Sequence, residues 1–354
     1  MRQVIAGRIL GMLISDFNYD LPAELIAQEP LAERAASQML VVDRSGDSFE
    51  DRRFAELPSM LRNGDVLVLN NTKVFPARLF GRSETGANVE IFLVKKTADD
   101  LWKALARPAK RLREGKRISF GERLQAEIVE KMPDGKVVVR LTSDSDLYQV
   151  LDEIGKTPLP PYIRRETSGI DTDRDRYQTV FAKQRGAIAA PTAGLHFTPD
   201  VLEAVRNVGV TIAEITLHVG YGTFEPVRVD DLSEHTVSPE TYEISEGTAH
   251  VLTAAKANGR RIIAVGTTTT RALETTLAKF DGFTPGEYLA DVTITPGYRF
   301  KAIDGLLTNF HLPKSSLLVL TSTFGGHELI MKAYRHAVAA KYRFYSYGDC
   351  MLIV

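Results

Sequence analysis

The sequence predicts an α/β main domain that carries an inserted, small antiparallel β-barrel domain. Two stretches with different patterning point to it. From Asp65 to about Thr142, short apolar runs alternate with turn signals at Asn63-Gly64, Thr85-Gly86 and Asp134-Gly135, the spacing of an all-β sandwich or barrel. From about Gly186 onward, strand-like and helix-like segments alternate, as in a largely parallel or mixed sheet covered by helices. A chain of 354 residues is long enough for both units to bury a core.

The elements follow in chain order. Residues 1–11 read as an N-terminal extension, because well-patterned sequence begins at "LISDFNYDLP". The next fifty residues hold a short helix near "PAELIAQEP", a strand "QMLVVDR", a turn at Ser45-Gly46-Asp47 and a helix near "FAELPSML". They are too few for a core of their own, so 12–63 and 150–354 are expected to form one discontinuous α/β catalytic domain. The barrel, 64–149, is then an insertion. Its strands are "VLVLNN", "ARLFGRS", "NVEIFLVKK", "LWKALARP", "KRISFG", "LQAEIVEKM" and "KVVVRLT". The Pro-rich "GKTPLPPYIRRETSG" is the return connection, and "DTDRDRYQ" begins the following helix.

Beyond it, "GAIAAP" precedes a helix with Thr198 as N-cap, Pro199 in its first turn and Gly209 past its end. A strand "TIAEITLHV", a helix "GTAHVLTAAKAN", a strand "RIIAVG" and a helix "TTRALETTLAKF" come next. The run "SSLLVLTSTF" is apolar enough for a buried strand, and "ELIMKAYRHAVAAK" is the last helix.

Composition narrows the function. Forty-four basic against 45 acidic residues leave a formal charge of -1, which fits a soluble protein without a general nucleic-acid coat. The single cysteine, Cys350, permits neither a disulfide framework nor a thiolate metal site within one chain and points to core packing. No stretch approaches about 18 consecutive apolar residues, so a cytoplasmic protein without a membrane span is expected.

Candidate chemistry lies in four loops at strand edges. Gly266 and Thr267 to Thr270 form a strand-to-helix turn suited to a polar or anionic ligand, although the same threonines can simply cap the helix. "APTAGLHFTPD" offers Thr192, Gly194 and His196, a histidine that can equally pack beneath its loop. "LHVGYGTFEPVR" offers His218, Tyr221, Thr223 and Arg228, and "TNFHLPKSS" offers Asn309, His311 and Lys314. No metal-ligand spacing is present. Three His-bearing loops beside strand ends suggest a shared crevice. Separately, Lys103 to Arg123 carries eight basic and two acidic residues, either a solvated face or a surface for a nucleic-acid backbone. The RNA-binding candidates there are Lys103, Arg107, Lys110, Arg111, Arg113, Lys116 and Arg117.

Taken together, "SDFNYDLPAELIAQEP", "GDVLVLNNTKVFPARLFG", "APTAGLHFTPDVL", "LHVGYGTFEPV", "AVGTTTTRALE" and "DGLLTNFHLPKSSLLVL" resemble, in order and from about Met12 to the end, the S-adenosylmethionine:tRNA ribosyltransferase-isomerases of queuosine biosynthesis. The resemblance implies a β-barrel joined to an α/β domain. It implies transfer and isomerisation of the ribosyl moiety of S-adenosylmethionine onto 7-aminomethyl-7-deazaguanine at the tRNA wobble position, giving epoxyqueuosine, adenine and methionine. S-adenosylmethionine is then a co-substrate, tRNA with a queuosine-type anticodon the partner, and no metal or redox cofactor is expected.

On this resemblance His196, His218 and His311 form the acid/base set. Lys314 and Arg271 hold carboxylate or phosphate, and Thr192, Thr267, Thr268 and Asn309 hold polar groups of the donor. The chain departs from the family pattern at Ser238, where a second histidine is usual, and at Glu225, where a basic or amide residue is usual, while keeping His235, Glu240 and Tyr242. The rival readings are a non-catalytic RNA-binding protein and a nucleotide-dependent transferase or hydrolase acting on a small molecule. No self-association motif is evident, so a monomer is expected.

Overall fold

A computed structural model describes residues 12–109, 112–165, 172–220 and 227–354; the 1–11 extension lies outside the described residues. The main domain is built on a nine-stranded mixed sheet. Across it the order is Gly286–Ala290, Glu240–Ile244, Thr211–Leu217, Val66–Asn70, Ile262–Val265, Gly305–Asn309, Cys350–Ile353, Gln38–Asp43 and Ser48–Arg53. Thr211–Leu217, Val66–Asn70, Ile262–Val265 and Gly305–Asn309 are mutually parallel, so their carboxyl ends open on the same edge.

The central strands Val66–Asn70, Ile262–Val265 and Gly305–Asn309 are buried at every position because both of their faces are covered. Leu67, Leu69, Ile263, Val265 and Leu307 pack on one face with the helix Pro199–Asn207. Val66, Val68, Ile262, Ala264 and Leu306 pack on the other with the helices Glu246–Ala257, Thr267–Lys279, Ser316–Gly325 and His327–Ala339. Each fully buried Leu or Ile contributes about 1.5–3 kcal/mol relative to exposure. Cys350 is buried in this core, as expected. The outer strand Ser48–Arg53 is polar and mostly exposed, which discourages pairing with another sheet.

A closed six-stranded antiparallel barrel forms from Arg78–Ser83, Asn88–Lys96, Leu101–Arg107, Arg117–Ser119, Leu124–Lys131 and Val137–Ser143. In Leu101–Arg107, Trp102, Ala104 and Ala106 point inward and Lys103 and Arg107 outward, the alternation a barrel wall requires.

Three expectations change. Val66–Asn70 belongs to the main sheet rather than the barrel, so the expected boundary at 64 moves to about Arg78. "VLVLN" is buried at all positions, whereas barrel strands alternate, and that difference separates them. The helix Leu147–Ile154 crosses the expected return at 150 and inserts Val150 and Leu151 into the barrel core. Lastly, "SSLLVLTSTF" is the helix Ser316–Gly325, and the buried strand is the preceding "GLLTN". A helix buried over most of its surface has no clear 3.6-residue pattern to betray it, and Ser315 caps it by accepting from the Leu318 amide at 3.2 Å.

Candidate active site

A cleft with about 540 Å³ of empty space opens at the carboxyl ends of the parallel strands. The chain after Thr211–Leu217 contributes Val219, the turn after Ile262–Val265 contributes Gly266, Thr267 and Thr268, and Gly305–Asn309 with its continuation contributes Thr308, Asn309, Phe310 and His311. Ala190 to Ala193 close one side, and Tyr162, Tyr345 and Ser346 another. No Asp, Glu, Lys or Arg lines it among the described residues.

Asn309 is the hub. Its Oδ1 accepts from the Thr192 hydroxyl at 2.9 Å, and its Nδ2 reaches His196 Nε2 at 3.2 Å. An amide NH₂ only donates, so Nε2 is the acceptor and Nδ1 carries the proton. Nδ1–H then donates to Ser37 Oγ at 2.8 Å, and Ser37 donates to the Arg34 carbonyl at 3.1 Å. His196 therefore has both ring nitrogens occupied one layer behind the cleft wall. Burial first, then the nearby Arg34 and Arg343 charges, hold its pKa down at about 3.

His311 lines the cleft itself. Its Nε2 pairs with Thr308 Oγ1 at 3.0 Å, and its Nδ1 has no hydrogen-bond partner among the described residues. Its backbone is clamped by Tyr334, whose hydroxyl accepts from the His311 amide at 3.1 Å, and by Tyr19, which donates to its carbonyl at 2.5 Å. Burial lowers its pKa to about 3, so the ring is neutral at neutral pH.

The threonine run divides in two. Thr269 and Thr270 return their hydroxyls to the Val265 and Gly266 carbonyls at 2.7 and 3.1 Å. Those of Thr267 and Thr268, at 6% and 7% exposure, have no partner among the described residues and border the cleft. Gly266 precedes them at φ +93°, a conformation that favours glycine.

Several sequence candidates go elsewhere. Arg271 does not reach the cleft: it pairs with Glu240 at 2.8 Å and donates to the Ser238, Ala290 and Val292 carbonyls. Glu240 in turn accepts from the Gly220 amide at 2.9 Å, so this buried pair anchors the chain leaving the Thr211–Leu217 strand. At the departure point Ser238, it is the backbone carbonyl that engages Arg271. His218 lies off the cleft, joined to Thr72 Oγ1 at 2.8 Å and packed on Gly186, where a Cβ would meet its ring at 2.6 Å. Lys314 and Arg228 are exposed and do not line the cleft. Tyr221, Thr223, Glu225, Lys110 and Arg111 lie outside the described residues.

Gly194 supports the site by being small. A Cβ there would stand 2.7 Å from Phe181 Cζ and 2.9 Å from Thr179 Cγ2. Gly194→Ala is expected to cost about 1–3 kcal/mol of stability through overpacking, read as a lower urea midpoint, and to loosen the Thr192–Asn309 contact.

The remaining basic candidates do not share one face. Leu101–Arg107 and Arg117–Ser119 stand three strands apart whichever way the barrel is followed, hence on opposite sides. Trp102 packs on Phe75 and Tyr148 near the junction with the sheet domain. Lys103 is therefore near that junction, and Arg107, Arg113, Lys116 and Arg117 follow the chain across the far end. The sequence reading missed Tyr162, Tyr345 and Ser346, which come from a Pro-rich connection and from the turn before the last strand, with no local signal that they meet.

Fold and site together define an α/β protein with an uncharged cleft at the carboxyl ends of its strands and an inserted β-barrel. The chain belongs to the family of queuosine biosynthesis proteins, whose model it matches over residues 14–353. It is 49% identical over 345 residues to the S-adenosylmethionine:tRNA ribosyltransferase-isomerase of Syntrophotalea carbinolica, covering 97% of this chain and 100% of that one. It is 48% identical to the protein of the same name from Staphylococcus saprophyticus, with the same coverage. The crystal structure of S-adenosylmethionine tRNA ribosyltransferase from Thermotoga maritima is similar at 36% identity and a TM-score of 0.55, over 96% of this chain and 100% of that one.

Proposed function

We propose that the chain is an S-adenosylmethionine:tRNA ribosyltransferase-isomerase. It transfers and isomerises the ribosyl moiety of S-adenosylmethionine onto 7-aminomethyl-7-deazaguanine at the tRNA wobble position, forming epoxyqueuosine and releasing adenine and methionine. The observation that carries this reading into the structure is the juxtaposition of His311, Asn309 and the unpaired Thr267 and Thr268 hydroxyls around one cleft. S-adenosylmethionine is a co-substrate in this reading, and no metal or redox cofactor is assigned. The enzyme acts as a monomer in the cytoplasm; no described helix is long and apolar enough to cross a membrane.

The donor's sulfonium acidifies its 5′ carbon. A neutral base that removes a proton there leaves an ylide, which initiates opening of the sugar ring and loss of adenine with a proton; the amine of the modified base then captures the opened sugar, and an epoxide closes as methionine leaves with the electron pair of the C5′–S bond. His311 is assigned as that base in the tautomer that donates Nε2–H to Thr308 Oγ1, which leaves the Nδ1 lone pair without a partner among the described residues. His196 is assigned a positioning role through Asn309, which with Thr192 holds the donor's polar groups. His218 is assigned no contact with the reacting atoms. Desolvation by the apolar walls keeps competing water away.

The test is adenine release from S-adenosylmethionine with an anticodon stem-loop carrying 7-aminomethyl-7-deazaguanine, compared with the same stem-loop carrying guanine. Release with the first alone supports the reading; none with either overturns it.

For the RNA backbone we assign the far end of the barrel, around Arg107 and Arg113. Replacing both by alanine should weaken stem-loop binding and flatten the plot of log affinity against log salt by about 0.7–0.9 for each lost contact. An unchanged slope would exclude these two residues.

A further inference from the structure

The cleft has no formal charge among its described lining residues, yet the donor carries a positive sulfur and a carboxylate. Two features of the cleft match those two charges in chemical character. The first is aromatic. Tyr162 and Tyr345 line the cleft edge-to-face, with ring centroids 3.9 Å apart and planes at 78°. Tyr345 is held at φ +74°, a region non-glycine residues rarely occupy, and its amide donates to the Phe310 carbonyl at 3.1 Å. Such a conformation costs energy and persists where surrounding structure enforces it. The face of a phenol ring attracts a cation without the permanent charge that would bind it indiscriminately.

The second feature is the start of the helix Thr267–Lys279. Its first amides have no intrahelical acceptor, and beside them stand Thr267 and Thr268, more than nine-tenths buried, bordering the cleft with hydroxyls unpartnered among the described residues. Amides and hydroxyls so placed recognise an anion.

We propose that the methionyl arm of the donor lies along the cleft with its sulfonium against the Tyr162–Tyr345 wall and its carboxylate at Thr267 and Thr268. This rests on S-adenosylmethionine being the donor. It makes the site selective for charge: once the C5′–S bond breaks and its electron pair stays on sulfur, the neutral thioether loses its hold on the aromatic wall. Methionine is thereby released in preference to unreacted donor.

Calorimetry with three probes tests the pose. S-adenosylmethionine has both charged groups, S-adenosylhomocysteine has the same adenosine with a neutral sulfur, and decarboxylated S-adenosylmethionine keeps the sulfonium without the carboxylate. The wild-type chain is expected to bind the first about tenfold more tightly than either of the others. Tyr345→Leu should abolish the preference over S-adenosylhomocysteine by weakening S-adenosylmethionine alone, and Tyr345→Phe should retain it. Thr268→Val should weaken S-adenosylmethionine and leave the decarboxylated probe unchanged. Tyr162→Leu provides the aromatic test if Tyr345→Leu does not fold, and the wild-type comparison needs no variant. Equal wild-type affinity for the three probes, or equal losses of S-adenosylmethionine and S-adenosylhomocysteine in the leucine variants, would overturn the pose. Failure of the wild-type chain both to bind S-adenosylmethionine and to release adenine would instead overturn the donor assignment.

Discussion

His311→Ala is expected to slow adenine release by two to four orders of magnitude, the usual contribution of a positioned acid or base. Thr308 and the hydroxyls of Tyr19 and Tyr334 fix His311 on three sides. His196→Ala should be different in kind. Removing that ring takes an acceptor from Asn309 Nδ2, which keeps only the Asp349 carbonyl at 3.4 Å, and a donor from Ser37 Oγ, at about 1–3 kcal/mol of stability, and lowers the rate only through Asn309. His218→Ala, off the cleft, should leave the rate within a few-fold of wild type. Near-normal release in His311→Ala, with circular dichroism and melting unchanged, would remove His311 from the reaction.

The second large effect is acid sensitivity. His196 and His311 titrate near 3 in the folded chain, while an unfolded histidine titrates near 6.5. Between these values the unfolded chain binds protons that the folded chain does not, so stability falls as pH falls through that window and is fully present above it. Each histidine should contribute about 1.4 kcal/mol per pH unit to the slope. Asp349, whose carboxyl pKa burial raises, opposes this over part of the range. Urea titrations at pH 7, 5.5 and 4.5 should show the loss, and His196→Gln and His311→Gln should each make it shallower. Parallel curves for wild type and both variants would contradict the burial of neutral rings.

Much of the architecture was legible because it rests on local rules. Turn residues and in-out alternation disclosed the barrel, and capping residues such as Thr198, which accepts from the Val201 amide at 3.2 Å, disclosed helix starts. Errors fell where the local pattern is ambiguous. The fully buried "VLVLN" and the largely buried "SSLLVLTSTF" show no clear apolar-polar periodicity, so neither domain membership nor helix-versus-strand could be read from them.

The site divided along the same line. Loops ending parallel strands were recognisable as candidates for one shared crevice, and Thr192, Thr267, Thr268, Asn309 and His311 do meet in one cleft. Side-chain direction was not recognisable. Arg271 is one helical turn beyond Thr267, but its guanidinium turns away to the buried Glu240. Lys314 follows His311 by three residues and faces solvent. Tyr162 and Tyr345 are adjacent only because the return from the barrel packs against the turn before the last strand.

By itself, then, the sequence determined the kinds of elements, the barrel and sheet grammars and the family, since these follow from periodicity, turn chemistry and ordered motifs. Tertiary structure alone decided which polar groups are satisfied internally and which remain open to a ligand. Most buried donors and acceptors find a partner, because an unpaired buried polar group is costly, and residues far apart in the chain often supply it.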